Sequence, residues 1–285
     1  MKRTLVSFDW AMKGILRDKT NFVALSGLLT ELLGKNIVVY EIVESESNSD
    51  NKDGKTNRLD LKAKINNGEF AIFELQVDKE RDFFHRILFG TSKTVVEQIH
   101  KGEDFENIKK IYSIAIVYFE LGKGSDYIYH GTTDFKGLHN NETLVLSEKE
   151  MKFLPQPVLE NQSAGVLFPE YYLIYPNRFN DDVKNKIDEW IHAFKTSEVE
   201  SHFTAAGIQE FGEALDIRKM SDQERIAYED FLKHERVRSN EITTAKADGY
   251  TEGHAEGHAE GMAKVFELLE KGVPLAEARK RLGIN

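Results

Sequence analysis

The feature that most constrains the fold is a pair of strand-like segments, each carrying an acidic residue. From Leu59 to Ile65 apolar residues alternate with charged ones, and Asp60 lies on the charged side. A period of two is typical of a β-strand with one buried face. After Asn66-Asn67-Gly68 the chain continues as a mostly apolar run, Phe70 to Val77, which contains Glu74. This order predicts a β-hairpin with one carboxylate on each strand.

The length of the turn decides whether the two acids are neighbours. A two-residue loop pairs Leu61 with Glu74 and leaves Asp60 on the opposite face. A three-residue loop, Asn66-Asn67-Gly68, instead places Asp60 directly across from Glu74. That loop is a type I turn closed by a left-handed residue, a conformation that glycine adopts without strain. We favour the three-residue loop, because it agrees with the alternation of the first strand.

Two opposed carboxylates suggest a cation between them. They repel each other, and an acid buried alone in an apolar strand is costly. A hard divalent cation, Mg²⁺ or Mn²⁺, relieves both problems and can support phosphodiester hydrolysis. Gln76 lies two residues after Glu74 and shares its face. An ordinary alternative stays open, in which Asp60 pairs with Lys62 or Arg58 and Glu74 caps backbone groups.

The rest of the first half predicts an α/β (α+β) arrangement. Apolar residues at helical spacing indicate a helix from Phe22 to Leu33, which Gly34 ends. A β-branched strand from Ile37 to Val43 precedes the hairpin. A long helix, roughly Arg81 to Lys101, and a buried strand from Ile111 to Phe119 follow it. The expected order is helix, three strands, helix, strand.

Beyond residue 120 the periodic signal weakens. Short strands are predicted at Tyr127–His130, at Leu144–Leu146 and within Gly165–Tyr175. Helices are predicted at Asp181–Lys195 and at Ser221–Arg236. The second half is therefore expected to be mainly helical.

A four-residue repeat occupies Lys246 to Lys264, with glycine at every fourth position. Four glycines inside a helix would cost roughly 4 kcal/mol relative to alanine. Small residues would also let two such helices approach closely. We favour an oligomerisation stem over a flexible linker, although both remain open. Two short helices are expected over Val265 to Leu282, joined at Gly272-Val273-Pro274.

Four regions follow from these patterns. They are an α/β core at residues 1–130, an extension of strands and helices packed on or beside the core at 131–240, the repeat stem or linker at 241–264, and a short helical C-terminal segment at 265–285.

Charge and composition narrow the function classes. The 285 residues contain no cysteine, which excludes disulfides, thiolate zinc sites and cysteine nucleophiles. The net charge is −10, but residues 1–130 hold 19 Lys and Arg against 20 Asp and Glu. A basic surface for nucleic acid is therefore possible in the first half, although each cation could equally belong to a solvated face. The available cations are Lys52, Lys55, Arg58, Lys62, Lys64, Arg81, Arg86 and Lys93.

No signal for a membrane protein is present. No apolar run approaches the ~18 residues of a membrane span, and the start of the chain is too polar for a secretory signal. We expect a soluble cytoplasmic protein.

The order and spacing of several motifs resemble a known family. It is the Rpn-type recombination-promoting nucleases, also described as transposases, of the PD-(D/E)XK superfamily. The resemblance covers about residues 7 to 120, and the glycine repeat is also a recurrent feature of this family. Its motifs here are Phe8-Asp9-Trp10-Ala11-Met12-Lys13, Arg58-Leu59-Asp60, Phe73-Glu74-Leu75-Gln76, Arg86, Ser92-Lys93, Gln98, Gly102 and Ile111 to Phe119.

The resemblance implies a restriction-endonuclease-like core and Mg²⁺-dependent DNA cleavage, with a role in recombination or mobile elements. Asp60 and Glu74 would be metal ligands, and Asp9 would complete the set or else cap a helix. Gln76 takes the place of the superfamily's lysine and can orient a water without accepting a proton. Lys62 is a hypothetical source of the missing positive charge.

The resemblance also implies contacts with DNA. Arg86 and Gln98 would touch phosphate or the site, as would the cations Arg58 and Lys93, with surface contacts as the alternative. No small-molecule cofactor is expected. Gly90 and Phe105 depart from the family pattern, which has tyrosine at both places. Two other functions remain open: a binding module derived from a nuclease that has lost catalysis, and a structural oligomer whose front domain is a scaffold.

Overall fold

The computed structural model describes residues 22–43, 61–76, 79, 81–152, 154, 162–216 and 221–282. The chain divides into two compact units, residues 1–220 and residues 221–285. The strands of the first unit are β1 Val39–Val43, β2 Leu61–Ile65, β3 Glu69–Gln76, β4 Ile111–Val117, β5 Ile128–Gly131 and β6 Glu170–Ile174. Its helices are α1 Phe22–Leu33, α2 Phe83–Glu97, α3 Glu148–Met151, α4 Lys186–Thr196 and α5 Ile208–Ala214.

The six strands form one mixed sheet in the order β1-β2-β3-β4-β6-β5. The strand β2 is antiparallel to both of its neighbours, β1 and β3, whereas β3, β4 and β6 run parallel and β5 is antiparallel to β6. All seven residues of β4 are buried, so the centre of the sheet is covered on both faces. The predicted order of helix, three strands, helix and strand is confirmed, and so is the α/β class.

The turn between β2 and β3 has the predicted length but a different geometry. Ile65 pairs with Glu69, which leaves a three-residue loop, and Gly68 adopts a φ of 92°. Asn66 also has a positive φ, 43°, where a type I turn needs about −60°. Its side chain explains the difference, because Oδ1 of Asn66 accepts a hydrogen bond from the backbone N–H of Val38 at 2.9 Å. The loop is therefore tied to the segment that enters β1.

Close packing holds α1 against the segment before α5. A Cβ added to Gly27 would lie 2.0 Å from the carbonyl oxygen of Ala206. The helix ends as predicted at Gly34, whose φ is 64°. A tilted cluster of Trp190, Phe194 and Phe211 joins α4 to α5. All three rings are among the largest fully buried side chains.

Two predictions in the second half are corrected. The helix expected at Asp181–Lys195 begins only at Lys186, because Asn185 caps it and accepts a hydrogen bond from the N–H of Asp188 at 3.1 Å. The segment Leu144–Leu146 is not a strand but contributes one isolated bridge, between Val145 and Ser163. The strands predicted at Tyr127–His130 and within Gly165–Tyr175 are confirmed as β5 and β6.

The second unit consists of two helices, α6 Asp222–Glu270 and α7 Leu275–Arg281. The helix α6 has 49 residues and is about 73 Å long at the usual rise. It extends far beyond the predicted end at Arg236 and contains the whole glycine repeat. As predicted, the break before α7 falls at Gly272-Val273-Pro274, where Gly272 has a φ of 78°. Among the described helices, none combines the length and the apolar character needed to cross a lipid bilayer.

Candidate functional site

Two polar side chains share one face at the carboxyl end of β3. Glu74 and Gln76 are two residues apart and lie beside Ala115 and Val117 of β4 in the parallel register. Glu74 is only 2% exposed. A carboxylate at this depth needs a positive partner, because its water shell has been removed.

Arg86 of α2 supplies that partner. Its Nη2 lies 2.8 Å from Oε2 of Glu74, and its Nη1 donates to Oε1 of Gln76 at 3.3 Å. The neighbouring residues Phe83 and Ile87 are buried in a cluster with Ala115, and this packing presses α2 onto the sheet. Arg86 is thereby held over the end of β3. The structure brings together three of the residues that the sequence singled out.

Lys62 shares the face of Glu74 but makes other contacts. It lies opposite Ile72 in the β2–β3 register. Its Nζ is 2.7 Å from Oε2 of Glu97 and 5.2 Å from the centre of the Phe70 ring. Because Phe70 belongs to the amino-terminal half of β3, the ammonium leans away from the end that holds Glu74.

The two remaining described candidates lie near the end of α2. Nζ of Lys93 is 3.6 Å from Oε1 of Glu97, and about half of the Lys93 side chain is exposed. The Gln98 amide bonds to the backbone of Lys109, accepting from its N–H at 2.6 Å and donating to its carbonyl at 3.4 Å. Gln98 thus joins the end of α2 to the segment that enters β4.

Three predicted site residues, Asp9, Arg58 and Asp60, lie outside the described residues. The described register stops one position short of Asp60, with Leu61 opposite Phe73.

The donor chemistry of the site fits a hard cation. The Glu74 carboxylate and the Gln76 amide oxygen are the oxygen ligands that Mg²⁺ and Mn²⁺ prefer. Over the described ranges, no group of three or more His, Cys, Asp or Glu residues is arranged to hold a metal ion. The described part of the site therefore offers two oxygen donors, one of them charged.

A family model decides what kind of protein this is. The model, described as PD-(D/E)XK nuclease family transposase, matches residues 6–245. The chain belongs to this family. The resemblance found in the sequence is thereby confirmed, and membership of the PD-(D/E)XK nucleases supports a nuclease-type function. No curated protein and no solved structure matches the chain.

PD-(D/E)XK nucleases generally use divalent metals, and a nuclease family implies DNA as substrate. The matched range of this PD-(D/E)XK chain contains Asp9, Asp60, Glu74 and Gln76, and it ends inside α6.

A second polar cluster lies at the amino end of the parallel strands and was not found from the sequence. Nζ of Lys110 is 2.9 Å from Oε1 of Glu170, and Nε2 of His130 is 2.8 Å from Oε2. Burial alone would raise the pKa of Glu170, but the hydrogen bonds and charges of these two neighbours outweigh it and hold the pKa below its usual value. Burial, together with Glu69 and Glu170, raises the pKa of Tyr112 far above its normal range.

These contacts have no local signal in the sequence. Glu170 lies 40 residues from His130 and 60 from Lys110 in the chain. Glu97, the partner of Lys62, is likewise distant in the chain, and its sequence context predicts only an ordinary acidic residue on a helix surface.

Proposed function

We propose that this chain is a divalent-metal-dependent DNA endonuclease that hydrolyses phosphodiester bonds and serves recombination or mobile elements. One observation supports the proposal most directly. A PD-(D/E)XK chain has a buried carboxylate, Glu74, on the same strand face as Gln76 and in contact with Arg86. A buried carboxylate with a charged partner in a nuclease-family chain is a candidate functional group.

The proposed metal ligands are Asp60 and Glu74, with Asp9 as a third. Leu61 opposite Phe73 supports this set, because a register continued by one residue would bring Asp60 across from Glu74. A bound Mg²⁺ or Mn²⁺ would polarise a phosphoryl oxygen and lower the pKa of a water. The chain's part is to hold the oxygen donors on one face of a rigid strand.

Gln76 is proposed to orient the attacking water. Its amide can donate and accept hydrogen bonds but cannot take up a proton at neutral pH. The positive charge that lysine provides elsewhere in the superfamily must then come from another residue. Arg86, which contacts both Glu74 and Gln76, is a stronger candidate than Lys62, whose ammonium is bound to Glu97.

The proposed DNA contacts are Arg58, Arg86, Lys93 and Gln98. The exposure of Lys93 supports a phosphate contact, since its ion pair with Glu97 is long and open to solvent. Gln98 would act indirectly, because both ends of its amide bond to Lys109. Its part is to hold the end of α2, and with it the surface on which Lys93 lies.

The glycine repeat of α6 is proposed to join two copies of the chain. Within the described part of the chain, a Cβ added at Gly249, Gly253, Gly257 or Gly261 would meet no atom within 4 Å apart from the neighbouring residues of its own helix. A helix this exposed and rich in glycine gains little from its own packing, so a partner helix would stabilise it. A sedimentation mass equal to one chain, unchanged by deletion of residues 246–285, would rule out this stem.

The test of the function is nicking of supercoiled plasmid DNA with Mg²⁺, with Mn²⁺ and with EDTA. The purified full chain is compared with Asp60→Asn and Glu74→Gln. We expect metal-dependent nicking that falls at least about 100-fold in both variants, as for loss of a principal catalytic group. Lys64→Met is the matched control, because Lys64 lies on β2, the strand that pairs with the Glu74 strand β3, and forms an ion pair with Glu41 at the surface. Absence of nicking together with absence of cation binding would favour the inactive binding module.

A further inference from the structure

We infer that Arg86 is a built-in competitor of the divalent cation for the Glu74 carboxylate. The inference rests on the proposed function and adds a regulatory property to the same site. Its basis is that the guanidinium hydrogen-bonds to one carboxylate oxygen of Glu74 and to the amide oxygen of Gln76, two of the oxygen atoms that a cation would use.

The geometry sets up this competition. Arg86 bonds to Oε2 of Glu74 at 2.8 Å and to Oε1 of Gln76 at 3.3 Å. They are two of the hard oxygen donors of the described site, which also includes Oε1 of Glu74. A guanidinium N–H fills one lone-pair direction of the oxygen that accepts it, so a cation that approaches Oε2 of Glu74 along that direction must displace the N–H group.

Electrostatic repulsion between the cation and the Arg86 guanidinium also opposes metal binding. A divalent cation beside Glu74 would lie within a few ångströms of the guanidinium, and like charges repel strongly where water is scarce. The Glu74 side chain is 2% exposed and that of Arg86 is 22% exposed. The arginine is therefore the partner with a route to solvent, and it would move when the cation binds.

Displacement would link metal and DNA binding. A guanidinium released from Glu74 would stay at the end of β3. There its planar set of N–H donors could bind two oxygens of one phosphate. Because coupling between two ligands is reciprocal, phosphate captured by Arg86 would in turn favour the cation. Arg86 would keep the empty site closed and become a DNA contact once it opens.

A supporting role for Arg86 predicts the opposite effect. If the arginine merely orients Glu74 for the metal, its removal should weaken metal binding about 10- to 100-fold, as for other groups that hold a ligand in place. If it competes, its removal should strengthen metal binding. The sign of the change therefore separates the two roles.

The experiment is calorimetric titration of the full chain with Mn²⁺ at pH 8 without DNA. The variants are Arg86→Met, which keeps the aliphatic stem but removes the charge, and Arg86→Lys. We expect the Mn²⁺ dissociation constant to fall at least about tenfold in Arg86→Met, because a charge pair in a poorly hydrated site is lost. The Mn²⁺ dissociation constant of Arg86→Lys should lie between those of Arg86→Met and the parent chain.

Lys35→Met is the matched control. Lys35 lies 3.2 Å from Glu69, a second buried carboxylate on β3, at the end opposite to Glu74. Its loss should cost similar stability and leave the Mn²⁺ affinity unchanged. A rise in melting temperature with Mn²⁺ gives a second readout, which should be larger in Arg86→Met than in the parent chain.

The outcomes separate the inference from the function on which it rests. Equal or weaker Mn²⁺ binding by Arg86→Met, in a chain whose parent binds Mn²⁺ and cleaves DNA, overturns the inference alone. Binding by Arg86→Met when the parent shows none supports it strongly. If neither binds Mn²⁺, both the inference and the proposed function fail. Should Arg86→Met not fold, the direction of change in Arg86→Lys decides.

Discussion

The ammonium of Lys62 lies 2.7 Å from Oε2 of Glu97, which joins β2 to the last turn of α2. The Lys62 side chain is 11% exposed and also covers the ring of Phe70. Its charge is thus used to hold α2 on the sheet.

Replacement of Lys62 by methionine should mainly affect stability. We expect a loss of about 1 kcal/mol in the free energy of unfolding, because Glu97 is half exposed and regains water. Plasmid nicking should stay within about tenfold of the parent chain, less than the ~10²-fold effect of a catalytic group. Urea unfolding and the nicking assay measure the two effects, with Lys64→Met as the control. A loss of nicking by 100-fold at unchanged stability would instead make Lys62 the source of the site's charge.

The contact between α1 and the segment before α5 should tolerate no side chain at position 27. In Gly27→Ala the new Cβ would meet the backbone oxygen of Ala206 at 2.0 Å, so the backbone must shift. Overpacking of this kind costs about 1–3 kcal/mol or more. Thermal unfolding followed by circular dichroism measures the loss. Gly212→Ala is a milder comparison, because its nearest neighbour is the Val199 side chain at 3.0 Å. An unchanged melting temperature in Gly27→Ala would contradict the close approach.

Stability should depend on the ionisation of Glu170 at acidic pH. The folded protein holds the pKa of Glu170 below its ordinary value of 4.5, so its ionised form stabilises the fold. This contribution is fully present above about pH 4.5 and is lost as the pH falls through the folded pKa. We expect Glu170→Gln to lower the free energy of unfolding by about 1.5–3 kcal/mol at pH 6, the usual range for a hydrogen bond to a charged group. The difference in free energy of unfolding between Glu170→Gln and the parent chain should narrow by pH 3. Urea unfolding at a series of pH values measures this difference. If the difference does not change with pH, the loss of stability must come from altered packing rather than from the charge of Glu170.

Alanine in the glycine repeat distinguishes a single helix from a paired one. In a lone exposed helix, Gly257→Ala should raise helix stability by about 1 kcal/mol, because alanine is the better helix former. In the proposed stem, the added methyl groups would instead separate two helices, and the association constant should fall. Sedimentation equilibrium and circular dichroism report the two effects. Ala255→Gly is the reciprocal control, since it weakens the helix without adding volume. A stronger association in Gly257→Ala would contradict packing through the glycines.

The sequence predicted the elements that depend on local pattern. Period-two alternation located β2, and an apolar run with one acid located β3 together with Glu74 and Gln76. The length of the loop could be inferred because hairpin geometry allows few choices, yet the φ of Asn66 could not. That angle depends on a hydrogen bond to Val38, which is 28 residues away.

The contacts of the site residues could not be predicted from the sequence for a related reason. Arg86 could be identified as a candidate, but its bridge from Glu74 to Gln76 depends on how α2 packs through Phe83 and Ile87. The continuity of α6 was not predicted: the sequence indicated a helix that ends at Arg236 and left the repeat open between a stem and a linker, because four glycines argue against a helix on propensity alone. Contacts over long sequence distance, rather than composition, decide such features.

The hairpin loop also limits how this protein can change over evolution. Many surface loops accept insertions, but here a single added or deleted residue between Ile65 and Glu69 would slide β2 by one position. Lys62 and Lys64 would then face the layer that now receives Ala63, and every neighbour of β3 on that side would be exchanged. Selection should therefore preserve the number of loop residues, together with Gly68 for its positive φ and Asn66 for its hydrogen bond to Val38.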